Sequence, residues 1–476
     1  MAESTIEKTA RRVVEETTAA LMPATIISNY KPGLWISLLS DTTRSNAFLW
    51  TEAGLRMGER LNRVIPTGLA VSRTAVMAAV ASDLIAGYLT LQQRARWFPW
   101  LVGPNDWDLQ NERGANRLLD TASSLGGALI KAGQFASTRP DLLPPVYIER
   151  LSQLQDRMPP LEWPKIRAAI TGELGRPPEE VFARVEQKPV ASASLSQVHR
   201  AWLKDGRAVA LKVQYPQVRE LVMADIALMG RVAQAISLVS SERLLQSIVD
   251  YLKETLPLEL DLRHEAVMMQ KLQTALANRN DVFIPQVVPE LTTERLLVMD
   301  FAEGIKITDR SGMEAAGINP SDVTRLLVDV YSEQVFRHHL LHADPHPGNL
   351  LVQPGPRLVM LDHGLTVEVS PSLADAMREV VRALVVNDFQ ALGEALSSAG
   401  LKTAKGVDIM TLLQTVSVIF GGTGSDVVKV TTQLGSKIGK IPVDLLLLGR
   451  ALGILNGITL QLDPTQSALA TIAMYV

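Results

Sequence analysis

The sequence predicts an α+β chain with a helical N-terminal extension, a small strand-rich lobe and a larger helical lobe. Three observations predict it. Residues 197–203 and 207–213 flank Asp205-Gly206, a strong hairpin signal. The apolar runs 350–352 and 358–361 flank the turn formers Gln353-Pro354-Gly355-Pro356, which makes a second hairpin. Most of the remainder carries apolar residues at helical spacing, and 476 residues are enough for two or three domains.

In chain order, residues 1 to about 110 read as helical. The N-terminus, Met-Ala-Glu-Ser-Thr-Ile-Glu-Lys, has acidic residues and no apolar core, so it does not read as a secretory signal and a cytoplasmic start is expected. The apolar stretch 69–89 is broken by Arg73 and Asp83 and falls short of the ~20 residues a membrane span needs, so it reads as a helix packed on protein. Arg94, Arg96, Trp97, Phe98 and Trp100 mix cations with aromatics as membrane-surface segments do. Tryptophans more often mark cores, which makes a docking loop with buried rings the plainer reading. Gly103-Pro104-Asn105-Asp106 marks a boundary.

Leu118, Leu119, Ala122, Leu125, Leu129 and Ile130 then recur at helical spacing and lead into Lys131-Ala132-Gly133-Gln134, with Gly133-Gln134 read as a helix end. Pro144-Pro145 and Pro159-Pro160 separate short helices. From Val190 the pattern becomes strand. Pairing about Asp205-Gly206 sets Lys212 near His199, with the loop Ala191-Ser192-Ala193-Ser194 just beyond the Lys212 end. A helical stretch over 244–277, interrupted at Pro257, carries Glu259, Asp261 and Glu265. Strand 296–299 leads into Asp300-Phe301-Ala302-Glu303-Gly304, a connector between lobes. Residues 323–338 form an amphipathic helix, and helices follow Ser372. There is no internal repeat. These changes divide the chain into 1–110, 111–189, 190–302 and 303–476.

Composition removes several function classes. A formal charge of −3 supplies no global polycation, so no nucleic-acid partner is expected. With no cysteine, disulfides, thiolate zinc sites and cysteine nucleophiles are excluded.

The chemistry concentrates at the second hairpin. It returns the chain to its start, so Asn349, entering it, and Asp362, leaving it, lie side by side, with Asp344 in the preceding loop. Two carboxylates and an amide carbonyl suit a hard cation such as Mg²⁺, which recruits one or two carboxylates plus phosphate oxygens. Asp344 and Asn349 are five apart, the spacing of the protein-kinase catalytic-loop aspartate and metal-binding asparagine, and Asp362-His363-Gly364 follows where Asp-Phe-Gly would be. Val209-Ala210-Leu211-Lys212 fits the kinase strand whose lysine meets nucleotide phosphates, and Glu265 or Glu259 can hold that lysine. His342, His346 and His363 lie on a Pro-rich loop and read as structural rather than as a zinc site. No Gly-X-Gly-X-X-Gly precedes Lys212; Ala191 to Ser196 stands there, which predicts a stiffer, more polar phosphate cover. Gly421-Gly422-Thr423-Gly424-Ser425 lacks a following lysine and reads as a linker.

Together these residues resemble the UbiB family of atypical, protein-kinase-like proteins over roughly residues 118–464. Lys131-Ala132-Gly133-Gln134 is similar to its Lys-X-Gly-Gln signature, Glu259-Leu260-Asp261 to its Glu-X-Asp motif, and Ala191 to Ser194 to its alanine-rich loop. The resemblance implies a bilobal kinase-like fold and binding of ATP and Mg²⁺. It implies roles for Lys212 and Glu265 at the nucleotide, Asp344 in catalysis, and Asn349 and Asp362 at the metal. It further implies ATPase or phosphotransferase activity supporting quinone or other isoprenoid-lipid metabolism, with peripheral contact at the inner face of a membrane. Lys131 and Gln134 are expected to fold over the cleft and restrain it, Lys131 meeting Glu259 or Asp261. Ser192, Ser196 and His363 depart from the family's usual residues, and the sequence stops at Val476 where many relatives continue into membrane-spanning helices. Two other readings compete. One is a small-molecule phosphotransferase of the aminoglycoside or choline kinase type, which shares the His-X-Asp loop. The other is a non-catalytic scaffold switched by nucleotide.

Overall fold

Helix α1 (Leu69–Trp97) ends on Arg94 and Arg96, and α2 (Asp106–Leu125) starts on Asp106 and Asp108, each placing charge where the helix dipole favours it. The computed structural model describes residues 69–137, 143–154, 160–237, 244–400, 443–465 and Ile472; the helical reading of residues 1–68 and the linker reading of 421–425 lie outside them. The chain divides into two compact units, 1–79 and 80–476, and the description below concerns the second.

The turn between α1 and α2 corrects the docking-loop reading. Trp97, Phe98 and Trp100 are 62 %, 42 % and 76 % exposed. Their contacts are local: Phe98 meets Trp100 edge-on at 5.7 Å, and Arg96 lies 5.4 Å from the Trp97 ring. Among the described residues no helix is long and apolar enough to cross a membrane.

Helix α2 stops at Gly126 and Gly127, both at positive φ (69° and 61°), a conformation that costs glycine nothing. The chain re-enters helix at once as α3 (Ala128–Ser137), so Gly133-Gln134 lies inside a helix and not at its end. Gly133 serves packing instead. A Cβ there would sit 2.2 Å from Leu154 Cδ1, beyond α4 (Pro145–Leu151).

Helices α5 (Trp163–Leu174) and α6 (Pro178–Val181) lead into the small-lobe sheet. Its strands are β1 (Phe182–Val185), β2 (Ala191–Ser192), β3 (Ser196–Leu203), β4 (Ala208–Gln214) and β6 (Leu296–Asp300), in the order β1-β3-β4-β6 with β2 also on β3. The Asp205-Gly206 hairpin forms with a register one residue from that expected: Lys212 pairs with Val198, and His199 with Leu211. The cause is the turn. Leu203 N–H donates to Arg207 O and Gly206 N–H to Leu203 O, with Gly206 at φ +88°, so three residues close the loop instead of two. A one-residue slip moves side chains to the other face. Here it sets Val198 instead of His199 beside Lys212: Val209, Leu211 and Val213 pack with Ile166, Ile170 and Phe182 in the core, while Val198, Arg200, Ala210, Lys212 and Met299 share the opposite face.

Helix α7 (Val218–Ser237) precedes α8 (Leu244–Glu259), which runs through Pro257, so the helical stretch is not interrupted where expected. The break falls at Asp261, whose backbone is extended and whose carboxylate caps α9 (Leu262–Ala275) by accepting from Arg263 N–H at 3.0 Å. Past β5 (Val282–Phe283), β6 and the connector come β7 (Ile305–Lys306), α10 (Arg310–Ala315) and α11 (Pro320–Phe336). Asn319 caps α11, starting it three residues earlier than the apolar pattern indicates.

Strands β8 (Leu340–His342), β9 (Leu350–Gln353), β10 (Arg357–Met360) and β11 (Thr366–Glu368) follow. The β9–β10 hairpin forms as expected, Met360 opposite Leu350, in a sheet ordered β5-β10-β9-β7, and β8 pairs with β11. Helices α12 (Pro371–Val386), α13 (Phe389–Ser398) and α14 (Val443–Leu462) complete the described chain.

Candidate active site

Lys212 stands at the centre of the cleft-facing sheet surface. Its Nζ donates to both carboxylate oxygens of Glu265 at 2.8 Å and to Asp362 Oδ2 at 2.9 Å. Glu265 occupies the first turn of α9 and is buried; Asp362 follows β10. Of the two glutamates expected to hold the lysine, Glu265 does so. Three elements are thereby tied by one ammonium. Deleting one partner would strand a buried charge, at a cost of about 3–5 kcal/mol.

One cation serves two carboxylates here, and they respond in opposite directions. Burial pushes Glu265 up to about 7, against the pull of Lys212. Burial acts the same way on Asp362, but the charge and hydrogen bond of Lys212, with the Gly364 N–H donating at 3.0 Å, hold it well below the usual carboxylate range. Lys212 is raised: burial alone would lower it, and the two carboxylates outweigh that. The Asp362 side chain keeps 41 % exposure, so it still meets the open cleft.

Asn349 lies beside Asp362, its carbonyl accepting from Leu361 N–H at 3.0 Å, and its Nδ2 donates to Asp344 O at 3.3 Å. The hairpin thus gathers Asp344, Asn349 and Asp362 as its geometry requires. The Asp344 carboxylate accepts from Arg450 Nη2 at 2.9 Å. Sequence reasoning missed Arg450. A lone arginine within the apolar run of α14 was the available signal.

The histidines hold backbone. Tyr331 Oη lies 2.8 Å from His342 Nδ1, and His342 Nε2 donates to the Asp362 carbonyl. His363 Nε2 donates to Met360 O at 3.2 Å. Burial lowers both, His363 to about 3, so both stay neutral. His346 Nδ1 accepts from Gly348 N–H. Among the described residues no three His, Asp or Glu side chains cluster to share a metal ion.

The loop ahead of Lys212 is pinned. Ala191 and Ser192 pair with Val198 and Gln197, Ala193 N–H donates to Ser196 O at 2.8 Å, and Ser194 is buried. Ser192 Oγ lies 2.7 Å from Tyr215 Oη, a polar tie that a glycine there would lack.

From the extension, Lys131 Nζ reaches Glu259 Oε2 at 3.1 Å, with both side chains largely buried. Asp261 is spent on its cap. Gln134 Nε2 donates to Leu154 O at 3.4 Å, and Phe135 stacks on Tyr251 at 3.7 Å. Lys131, Gln134, Tyr251, Glu259, Leu365 and Arg450 line one narrow cavity, and the charge of Lys131 helps keep Asp362 ionised.

A lysine tied to a helix glutamate under an antiparallel sheet, above a hairpin flanked by Asp, Asn and Asp, defines a mixed α+β, kinase-like protein with N-terminal helices. The chain belongs to the ABC1 atypical kinase-like domain family, also called the AarF-domain or UbiB family, which it matches over residues 153–396. It is 37 % identical to AarF domain-containing protein kinase 1 of Xenopus tropicalis, over 58 % of this chain and 54 % of that one. It is 34 % identical to the probable protein kinase UbiB of Shewanella loihica, over 68 % of this chain and 60 % of that one. The chain spans about half the length of the first curated relatives it matches. Among solved structures it is similar to Rv3197 of Mycobacterium tuberculosis in complex with erythromycin, with a TM-score of 0.53 and 26 % identity, covering 74 % of this chain and 93 % of that one.

Proposed function

We propose that the chain binds ATP with Mg²⁺ and transfers or hydrolyses the terminal phosphoryl group. The observation that carries this is the Lys212–Glu265–Asp362 cluster beside Asp344 and Asn349. Lys212, fixed by Glu265, presents a cation to phosphate oxygens. The part-exposed Asp362 carboxylate and the neighbouring Asn349 amide are hard oxygen donors, too few to enclose a cation alone and suited to one that also takes phosphate oxygens and water. Bound there, Mg²⁺ would neutralise phosphate charge. Asp344 would accept a proton from the attacking hydroxyl or water, and Arg450 occupies one of its two oxygens.

Lys131 and Gln134 restrain the site in this reading, because they share one cavity with Arg450 and Glu259. The acceptor is an apolar small molecule of the quinone or isoprenoid-lipid class. The UbiB resemblance supports this. The exposed Trp97, Phe98 and Trp100 beside Arg94 and Arg96 support peripheral contact with the inner face of a membrane. The test is Mg²⁺-dependent ADP release with and without liposomes and small phenolic quinone precursors. Release that never exceeds that of an Asp344→Asn control would promote the nucleotide-switched scaffold, which the Arg450 clamp on Asp344 favours.

A further inference from the structure

At the connector end of the cleft, Arg200 joins the two lobes. It sits on β3 opposite Ala210, two residues from the Lys212 pair and on the same sheet face. Its guanidinium lies 4.3 Å from the Phe301 ring and 5.0 Å from the Trp202 ring, and its Nη2 meets Glu303 Oε1 at 2.9 Å. Glu303 is anchored to the other lobe: its carbonyl accepts from Gln353 Nε2 of β9 at 2.7 Å. The next residue, Gly304, packs so close to β9 that a Cβ would lie 2.8 Å from Leu351 Cβ. The Arg200–Glu303 pair therefore spans from the small-lobe sheet to the hairpin lobe. Among the described residues the Nε–H of Arg200 is buried without a hydrogen-bond partner. A buried donor left unmade is costly, so a ligand acceptor there would be favoured.

A nucleotide with its phosphates at Lys212 can lay its nucleoside along the apolar pair Ala210 and Met299, one step along the same sheet face toward the connector. Resting on the nucleotide reading above, we propose that Arg200 and Glu303 form a latch that opens to admit a nucleotide and closes over its nucleoside. Arg200 is then a nucleotide-positioning residue whose Nε–H donates to a sugar or base acceptor. Phe301 and Trp202 hold the guanidinium flat, a task lysine cannot perform.

The experiment is stopped-flow release of a fluorescent N-methylanthraniloyl-ADP with Mg²⁺, chased by excess ATP. Glu303→Gln, at a side chain 70 % exposed and so harmless to the fold, should speed release about threefold, the worth of a surface ion pair. Arg200→Ala should speed it about tenfold, losing the stacking as well, with Arg200→Lys closer to Ala than to the parent. Binding of Mg-tripolyphosphate, which has no nucleoside, should stay at the parent value in all three. Parent-like release rates in Arg200→Ala and Glu303→Gln would overturn the latch and leave the nucleotide reading standing, and so would an equal loss of tripolyphosphate binding. A parent that binds no labelled ADP would overturn the nucleotide reading itself, and the latch with it.

Discussion

Arg450 Nη2 donates to Asp344 Oδ1 at 2.9 Å, so the carboxylate placed to act as base is held by a cation from a helix 106 residues further along the chain. Both side chains are mostly buried, at 20 % and 16 % exposure, which keeps the pair from being screened as a surface bridge would be. A carboxylate oxygen held by a guanidinium is not free to meet the attacking group. Arg450→Gln should therefore raise basal ATP turnover about tenfold or more, the worth of one charge-assisted hydrogen bond. Coupled-enzyme detection of ADP release reads this directly, and unchanged or lower turnover in a folded variant would show that the clamp does not restrain the site.

Asp344→Asn should leave nucleotide affinity intact and lower turnover by ~10²–10⁴, the usual contribution of a general base. Isothermal titration with Mg-ATP alongside single-turnover kinetics separates the two quantities. A variant as fast as the parent would leave only the scaffold reading.

Glu265 gives the site a pH dependence whose sign follows from its environment. It is raised by burial to about 7, so below that pH it is protonated and releases Lys212. Nucleotide affinity should fall as pH drops through about 7, and this limb should be absent in Glu265→Gln, which binds weakly at every pH. Asp362 is held far below this window and stays ionised throughout, so it cannot produce the limb. Stability runs the other way. Between the ordinary 4.5 and about 7 the folded chain binds a proton that the unfolded chain has released, so this group favours the fold at low pH and that advantage fades as pH rises. Affinity measured from pH 5.5 to 8.5 in parent and variant checks the assignment.

The α1–α2 turn should bind anionic liposomes reversibly through its exposed aromatics and flanking arginines. Replacing Trp97, Phe98 and Trp100 with serine should abolish flotation with phosphatidylglycerol vesicles. Retention of the triple variant on vesicles, or resistance of the parent to carbonate extraction, would place membrane attachment elsewhere.

What the sequence makes legible here is what local pattern controls. Asp344, Asn349 and Asp362 could be brought together because one short hairpin and its turn residues dictate their proximity. Lys212 could be placed on a strand facing the site, but its partner on β3 could not, since the turn at Gly206 holds one residue more than expected. Residue pattern alone leaves Glu259 and Glu265 both open and the family resemblance selects Glu265; the physical reason is Asp261, which caps α9 and sets Glu265 in the first turn of a new helix. Gly133 looked like a helix end because its true reason, close approach to Leu154, is a tertiary contact. Arg450 was invisible for the same reason: nothing local links α14 to the loop after β8.

The central claim is that Lys212, Glu265 and Asp362 form a metal-dependent nucleotide site, and thermal stabilisation by ATP with and without Mg²⁺ tests it most directly. Ligand that binds only the folded state raises stability by mass action, about 2.7 kcal/mol at a hundredfold excess over Kd. The parent should be stabilised by ATP with Mg²⁺ and much less by ATP with EDTA, and Asp362→Asn should lose most of the Mg²⁺-dependent part. Equal stabilisation of parent and Asp362→Asn by Mg-ATP, or none in the parent, would contradict the account.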